Sequence, residues 1–181
     1  MLRDVGLVFL FAAIIAGLGL VPRIDLPALG GVPITAQSLG VTLAGVLIGA
    51  KRGAFAAAVF LIGVAFGLPL LAGGRGGLDV FTGPTAGFLI GFVPAAFVTG
   101  LLFQGLVGRM GVFLAATFAA FIGGYVVLNL VGIPVMAWIT DRTVRQAVEI
   151  ALGLLPGGAL KALATGVIAY LVAGMEPLGR R

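Results

Sequence analysis

An all-α membrane bundle of six spans is the architecture this sequence predicts, and three observations carry the prediction. Of the 181 residues, 61% are hydrophobic and 9% charged, too few charges to clothe a water-exposed surface, where about one residue in four is normally charged. The charges stand singly or in pairs between long apolar runs. Each run is near the roughly 20 residues that cross hydrocarbon as a helix. Finally, the period-2 alternation of a transmembrane barrel is missing, and backbone groups in lipid must pair internally, so the runs read as helices.

The runs follow in order. Val5 to Pro22 is the first. With its leading charge it imitates a signal peptide, but the rest of the chain is equally apolar, so it reads as a retained span. Leu26 to Ala50 is the second, its helix starting after Pro33, with Lys51 and Arg52 ending it. Gly53 to Gly74 is the third, helical until just before Pro69. Val80 to Gly108 is the fourth, with its helix starting near Pro84. Met110 to Thr140 is the fifth, helical to about Val131, and the last runs from near Pro156 to about Gly174. The whole chain, 1–181, is then a single six-helix membrane domain. No internal repeat is visible, which disfavours an inverted-repeat transporter.

Six spans place both termini on one side. That side collects Arg3, Lys51, Arg52, Arg109, Arg180 and Arg181 against Asp4 and Glu176. The other collects Arg23, Arg75, Arg142, Arg145 and Lys161 against Asp25, Asp79, Asp141 and Glu149. The positive-inside rule makes the termini cytoplasmic in a cell inner membrane. The formal charge of +5 is dispersed between apolar runs, so lipid head groups and orientation account for it better than nucleic acid does.

The outer loops, residues 22–33, 68–84 and 132–155, are long, and long ordered loops usually carry function. In the third, Thr140 or Asp141 can cap a short helix. There Arg145 and Glu149 pair at i,i+4 while Val144, Ala147, Val148 and Ala151 share the opposite face, the pattern of an interfacial helix.

Several chemistries are excluded. With no Cys and no His there is no thiol nucleophile, imidazole base or common transition-metal set. No span carries a carboxylate, no Ser has a plausible base, and there is no nucleotide-binding domain. An enzyme reading is therefore poor, no cofactor or metal is implied, and a pump would have to borrow its energy.

The polar residues that remain are the candidates. Lys161 sits about a turn into the last span, either snorkelling to the outer interface or placing an ammonium at a ligand pocket. The segment "GGRGGLDVFTGP" reads as a flexible connector or as a loop approaching a ligand, with Arg75 and Asp79 as its charges. Pro84 and Thr85 open the next helix, and Phe88 follows one turn on, where its ring can stack on a ligand. Gln37, Ser38, Thr35 and Thr42 in the second span and Asn129 in the fifth either bridge helices or bind a polar head group. Trp138 and Tyr125 read as interface anchors or packing. The stripes Ala12-x-x-x-Ala16 and Ala13-x-x-x-Gly17 suit close helix packing, inside the bundle or against another membrane protein.

At these residues the chain resembles a known family. The stretch from Val32 to Phe92, with "PITAQSLGV" and "GPTAGFLIGF", resembles BioY, the biotin-binding S component of energy-coupling factor (ECF) transporters, and "LLPGGALKAL" resembles the family's last-helix motif. The resemblance implies a six-helix substrate-capture subunit with a vitamin site near the outer face. Its partners would be a transmembrane coupling protein, which meets a small-residue stripe that Ala12 and Ala16 fit, and two cytoplasmic ATPases. A member acting alone would be a homo-oligomer. Biotin would be the ligand, held by Lys161, Asp79, Arg75, Thr85, Phe88, Gln37 and Asn129, with Gly87 inside the same motif as Phe88. One position departs from the family pattern: Gly158 stands where the motif often carries an Asp that contacts ligand. Asp79, Asn129 or Gln37 would then supply the missing acceptor, with Asp79 favoured because its loop can fold over the site as a lid. The competing readings are an S component for a different small vitamin, a membrane enzyme, and a ligand-free assembly subunit.

Overall fold

The computed structural model describes residues 2–24 and 34–175 and builds them almost entirely from helices. The start of the second apolar run and the C-terminal basic pair, Arg180 and Arg181, lie outside the described residues. Helix α1 spans Leu2–Gly17 and continues as a 3₁₀ turn, Leu18–Leu20. Helices α2 (Gln37–Ile48) and α3 (Ala50–Ala65) follow. A loop with a 3₁₀ turn at Leu78–Phe81 leads to the short α4, Ala86–Ile90. Then come α5 (Phe92–Phe121), a π-helical segment (Ile122–Val127), α6 (Leu128–Ile139), α7 (Val144–Gly153) and α8 (Leu155–Met175).

Two turns at one end of the bundle depend on glycine backbone. Gly49 (φ 88°) separates α2 from α3, and Gly111 (φ 75°, ψ 167°) breaks α5. Both lie in the left-handed region that other residues avoid. The first break therefore falls before Lys51 and Arg52, which belong to the first turn of α3 rather than to the end of α2. Arg52 pairs there with Asp4 of α1 at 2.6 Å.

Helix packing rests on small residues. A Cβ on Gly53 would lie 2.8 Å from the Gly45 nitrogen, and one on Gly45 would lie 2.5 Å from the Ala96 carbonyl oxygen. One on Gly100 would run into the Ala50 backbone. In lipid, where apolar surface gives no net drive between helices, close backbone approach is what holds them. Ala12 is used the same way: it is buried in the α1–α3 core with Ala57 and Phe60, and Ala16 packs at its margin. The stripe left exposed on α1 is Ala13 and Gly17.

Two further expectations are corrected. The fifth run does not stop near Val131: it is helical to Ile139, with Pro134 inside α6. Proline there removes one backbone donor without ending the helix. Helix α7 is capped by Thr143, not Thr140 or Asp141, through a capping box with Gln146. Thr140 instead donates its hydroxyl back to the Met136 carbonyl, at 2.7 Å. The Arg145–Glu149 pair forms as expected (3.3 Å), but the buried face is Ala147, Ile150 and Ala151, leaving Val144 and Val148 exposed. Trp138 is exposed near the end of α6.

Gly100→Ala should destabilise the bundle by about 1–3 kcal/mol, because the methyl meets backbone that cannot yield. Gly105→Ala, at a position with open space, should stabilise it by up to about 1 kcal/mol through helix propensity. Thermal unfolding of both variants in detergent checks the contrast.

Candidate functional site

The site is best assembled from the start of α2 outward. Gln37 is 2% exposed, and its amide is fully engaged. Its Nε2 donates to the carbonyls of Ile15 (3.3 Å) and Leu70 (3.0 Å), and its Oε1 accepts from the Ala72 nitrogen (3.2 Å). One side chain thus ties α1, α2 and the loop after α3. Gly19 makes room for it, since a Cβ there would collide with the Leu70 carbonyl and come within 3.1 Å of Gln37 Nε2.

The loop so anchored is ordered rather than a loose connector. Leu71 and Arg75 exchange backbone hydrogen bonds across a turn whose two central glycines, Gly73 and Gly74, both have positive φ. The Gly77 nitrogen then donates to the Val64 carbonyl (2.7 Å), which returns the loop to the top of α3. The glycines serve the turn, and the turn sets Arg75 on the pocket rim, where its Nε donates to the Ala72 carbonyl (3.4 Å).

On the far wall, α8 starts at Leu155 and carries Lys161 inward. Its ammonium donates to Ser38 Oγ (2.7 Å) and to the Thr35 carbonyl (3.1 Å), both at the start of α2. Lys161 therefore crosses the bundle instead of snorkelling out of it. One helical turn further on, the hydroxyls of Thr42 and Thr165 pair at 2.8 Å, so α2 and α8 are joined by two polar steps in register. An ammonium has three donors, and two are used here.

Between these walls lies one pocket, with about 730 Å³ of empty space counting the part open to solvent. Its lining includes Thr35, Gln37, Ser38, Leu71, Arg75, Thr85, Phe88, Phe92, Tyr125, Asn129, Gly158 and Lys161. Among the described residues the charged ones are Arg75 and Lys161, with no carboxylate, and the rest of the wall is mostly apolar or aromatic. Such a chamber suits an amphipathic molecule carrying negative charge or strong acceptors.

Six of the residues singled out from sequence meet here: Lys161, Arg75, Thr85, Phe88, Gln37 and Asn129. Asp79 does not. It is exposed in the 3₁₀ turn, where its backbone carbonyl accepts from the Thr82 hydroxyl. Gly87 is also outside the lining: a Cβ on it would lie 2.6 Å from Val135 Cβ and 3.0 Å from Gly132 Cα, so it serves the contact of α4 with α6. Gly132 in turn receives the ring of Phe88. Tyr125, expected as an anchor or as packing, does pack, and it also reaches the pocket. It lines the pocket from the π-helical segment, stacked on Phe121 (centroids 5.4 Å apart), with its hydroxyl donating to the Ala151 carbonyl at 2.9 Å. Its i,i+4 spacing to Asn129 was the available signal.

Comparisons with known proteins converge. A family model described as the BioY family matches residues 1–177. A biotin transporter BioY of Rhizobium etli is 47% identical, aligned over 97% of this chain and 96% of its own. One of Rhodobacter capsulatus is 45% identical over 97% and 95%. A solved S-component for biotin from an ECF-type ABC transporter superposes with a TM-score of 0.87 at 27% identity, covering 96% of this chain and 92% of that one.

Gln37→Leu keeps the volume but strands the Ala72 N–H and two carbonyls. It should destabilise the protein by about 3 kcal/mol or more, read as a lowered melting temperature in detergent.

Proposed function

The chain belongs to the BioY family, and from that premise we propose that it captures biotin in the pocket between α2, α8 and the ordered loop, as the substrate-binding subunit of a vitamin uptake system. It is a transport protein, not a catalyst. The observation that carries the reading is the polarity of the pocket: two cations, no described carboxylate, and rings and aliphatic groups elsewhere. Biotin matches this term by term. Its carboxylate and ureido carbonyl suit Arg75 and Lys161, and its fused rings and valeryl chain suit Phe88, Phe92 and Leu71.

The membrane topology we assign is six spans with both termini cytoplasmic. The Asp4–Arg52 pair supports it, because it brings the start of α1 to the turn carrying Lys51 and Arg52 and so gathers the basic residues at one end. The pocket would then open to the outer face. The chain's partners would be a transmembrane coupling protein and two ATPases. A coupling protein docking on α1 would meet the exposed Ala13 and Gly17 rather than the buried Ala12. Co-purification of Gly17→Leu with such a module tests that contact, and undiminished recovery would exclude it.

Calorimetric titration of the detergent-purified chain with biotin tests the capture reading. Wild type should bind one equivalent. Lys161→Ala should weaken binding by about 100-fold, since a charge-assisted contact is lost and Ser38 and Thr35 lose their donor. Arg75→Gln should weaken binding by about 10-fold, whereas Asp79→Asn, an exposed and screened group, should stay within about twofold. No binding by folded wild type, or tight competition by a different vitamin, would sink the assignment to biotin.

A further inference from the structure

One residue of the pocket wall carries a buried polar atom that no described residue satisfies. Asn129, at the start of α6, is 8% exposed and lines the pocket. Its Nδ2 donates to the Tyr125 carbonyl at 2.7 Å, which settles the orientation of the amide, because the flipped form would set two oxygens against each other. Its Oδ1 is buried and has no hydrogen-bond partner among the described residues. Buried acceptors are almost always paired, so an orphan on a pocket wall calls for a donor from whatever fills the pocket.

Three other acceptors at the pocket are already engaged. Gln37 Oε1 accepts from Ala72, and Ser38 Oγ and the Thr35 carbonyl accept from Lys161. Tyr125 holds Asn129 in place and is itself wedged. Phe121 stacks on one side, Ala151 takes the hydroxyl, and the ring lies so close to Gly158 that a Cβ there would be 2.6 Å from Tyr125 Cδ2. Glycine at 158 is what admits the ring, and the residue carrying the ring provides the carbonyl that orients the amide.

We propose that Asn129 Oδ1 is the specificity-determining acceptor of this pocket, taking one ureido N–H of the ligand, and that Gly158 and Tyr125 are positioning residues for it. The proposal rests on the biotin reading above. It divides the duties between side chains of one pocket: cations receive the acceptor groups of the ligand, and a neutral amide receives its donor. A neutral acceptor also avoids burying a carboxylate beside the pocket's apolar rings.

The test is calorimetry on the full chain with biotin and with its two lactam analogues, in each of which one ureido N–H is replaced by CH₂. Wild type should discriminate against one lactam by about 10- to 100-fold. Asn129→Leu should weaken biotin by a similar factor and lose the discrimination. Gly158→Ala, which displaces the Tyr125 ring, should also narrow the discrimination, an effect that mere loss of stability would not produce. Asn129→Leu binding biotin as wild type does would overturn the proposal, as would an equal loss for biotin and both lactams. If the variant does not fold, wild type binding biotin and both lactams alike overturns it without any substitution. Failure of wild type to bind biotin at all would instead overturn the capture reading, and this inference with it.

Discussion

The structure turns on one buried amide. Gln37 makes three hydrogen bonds to backbone groups of two other segments, two of them fully buried and the third partly so. In a chain this apolar, unsatisfied backbone at membrane depth is the costliest error available. The end of α1 and the chain after α3 both leave regular helix near that level, so their carbonyls and the Ala72 nitrogen need partners. One glutamine meets all three needs. The ordered loop, the rim position of Arg75 and the mouth of the pocket beside it all follow from that anchorage.

A second constraint is how closely helices must approach. Hydrophobic burial does not distinguish a helix neighbour from a lipid tail, so cohesion comes from contact distance. Gly45, Gly53 and Gly100 bring α2, α3 and α5 to backbone contact. The pocket is lined by larger side chains, Phe88, Phe92 and Tyr125, of which Phe88 and Tyr125 are seated against Gly132 and Gly158.

Polar steps join α2 to α8. Lys161 to Ser38 and Thr165 to Thr42 are one turn apart on both helices. Lys161 therefore serves both the wall and the proposed ligand, and its place among carbonyl and hydroxyl acceptors lets a lone ammonium stay within a span without a carboxylate beside it. The π-helical segment brings Tyr125, and the start of α6 brings Asn129, to the same chamber, in keeping with the tendency of π turns to occur at functional sites.

Sequence alone determined the helical class, the order of the apolar runs, the short amphipathic α7 and most of the polar residues now found around the pocket. These follow from composition, from the spacing of charges and from helical periodicity, all of which are local. It also carried the family's motifs, which directed attention to Lys161, Phe88 and Gln37. The tertiary structure decided which of two duties each polar residue performs. Gln37 spends its amide on backbone, Asn129 keeps an acceptor in reserve, Asp79 stays outside the pocket lining, and Tyr125 both packs on Phe121 and lines the pocket. It also decided where helices stop, at Gly49 rather than at Lys51 and at Ile139 rather than near Val131. The reason is physical: hydrogen-bond partners and contact distances between segments far apart in the chain depend on how the helices cross, and no local spacing encodes that.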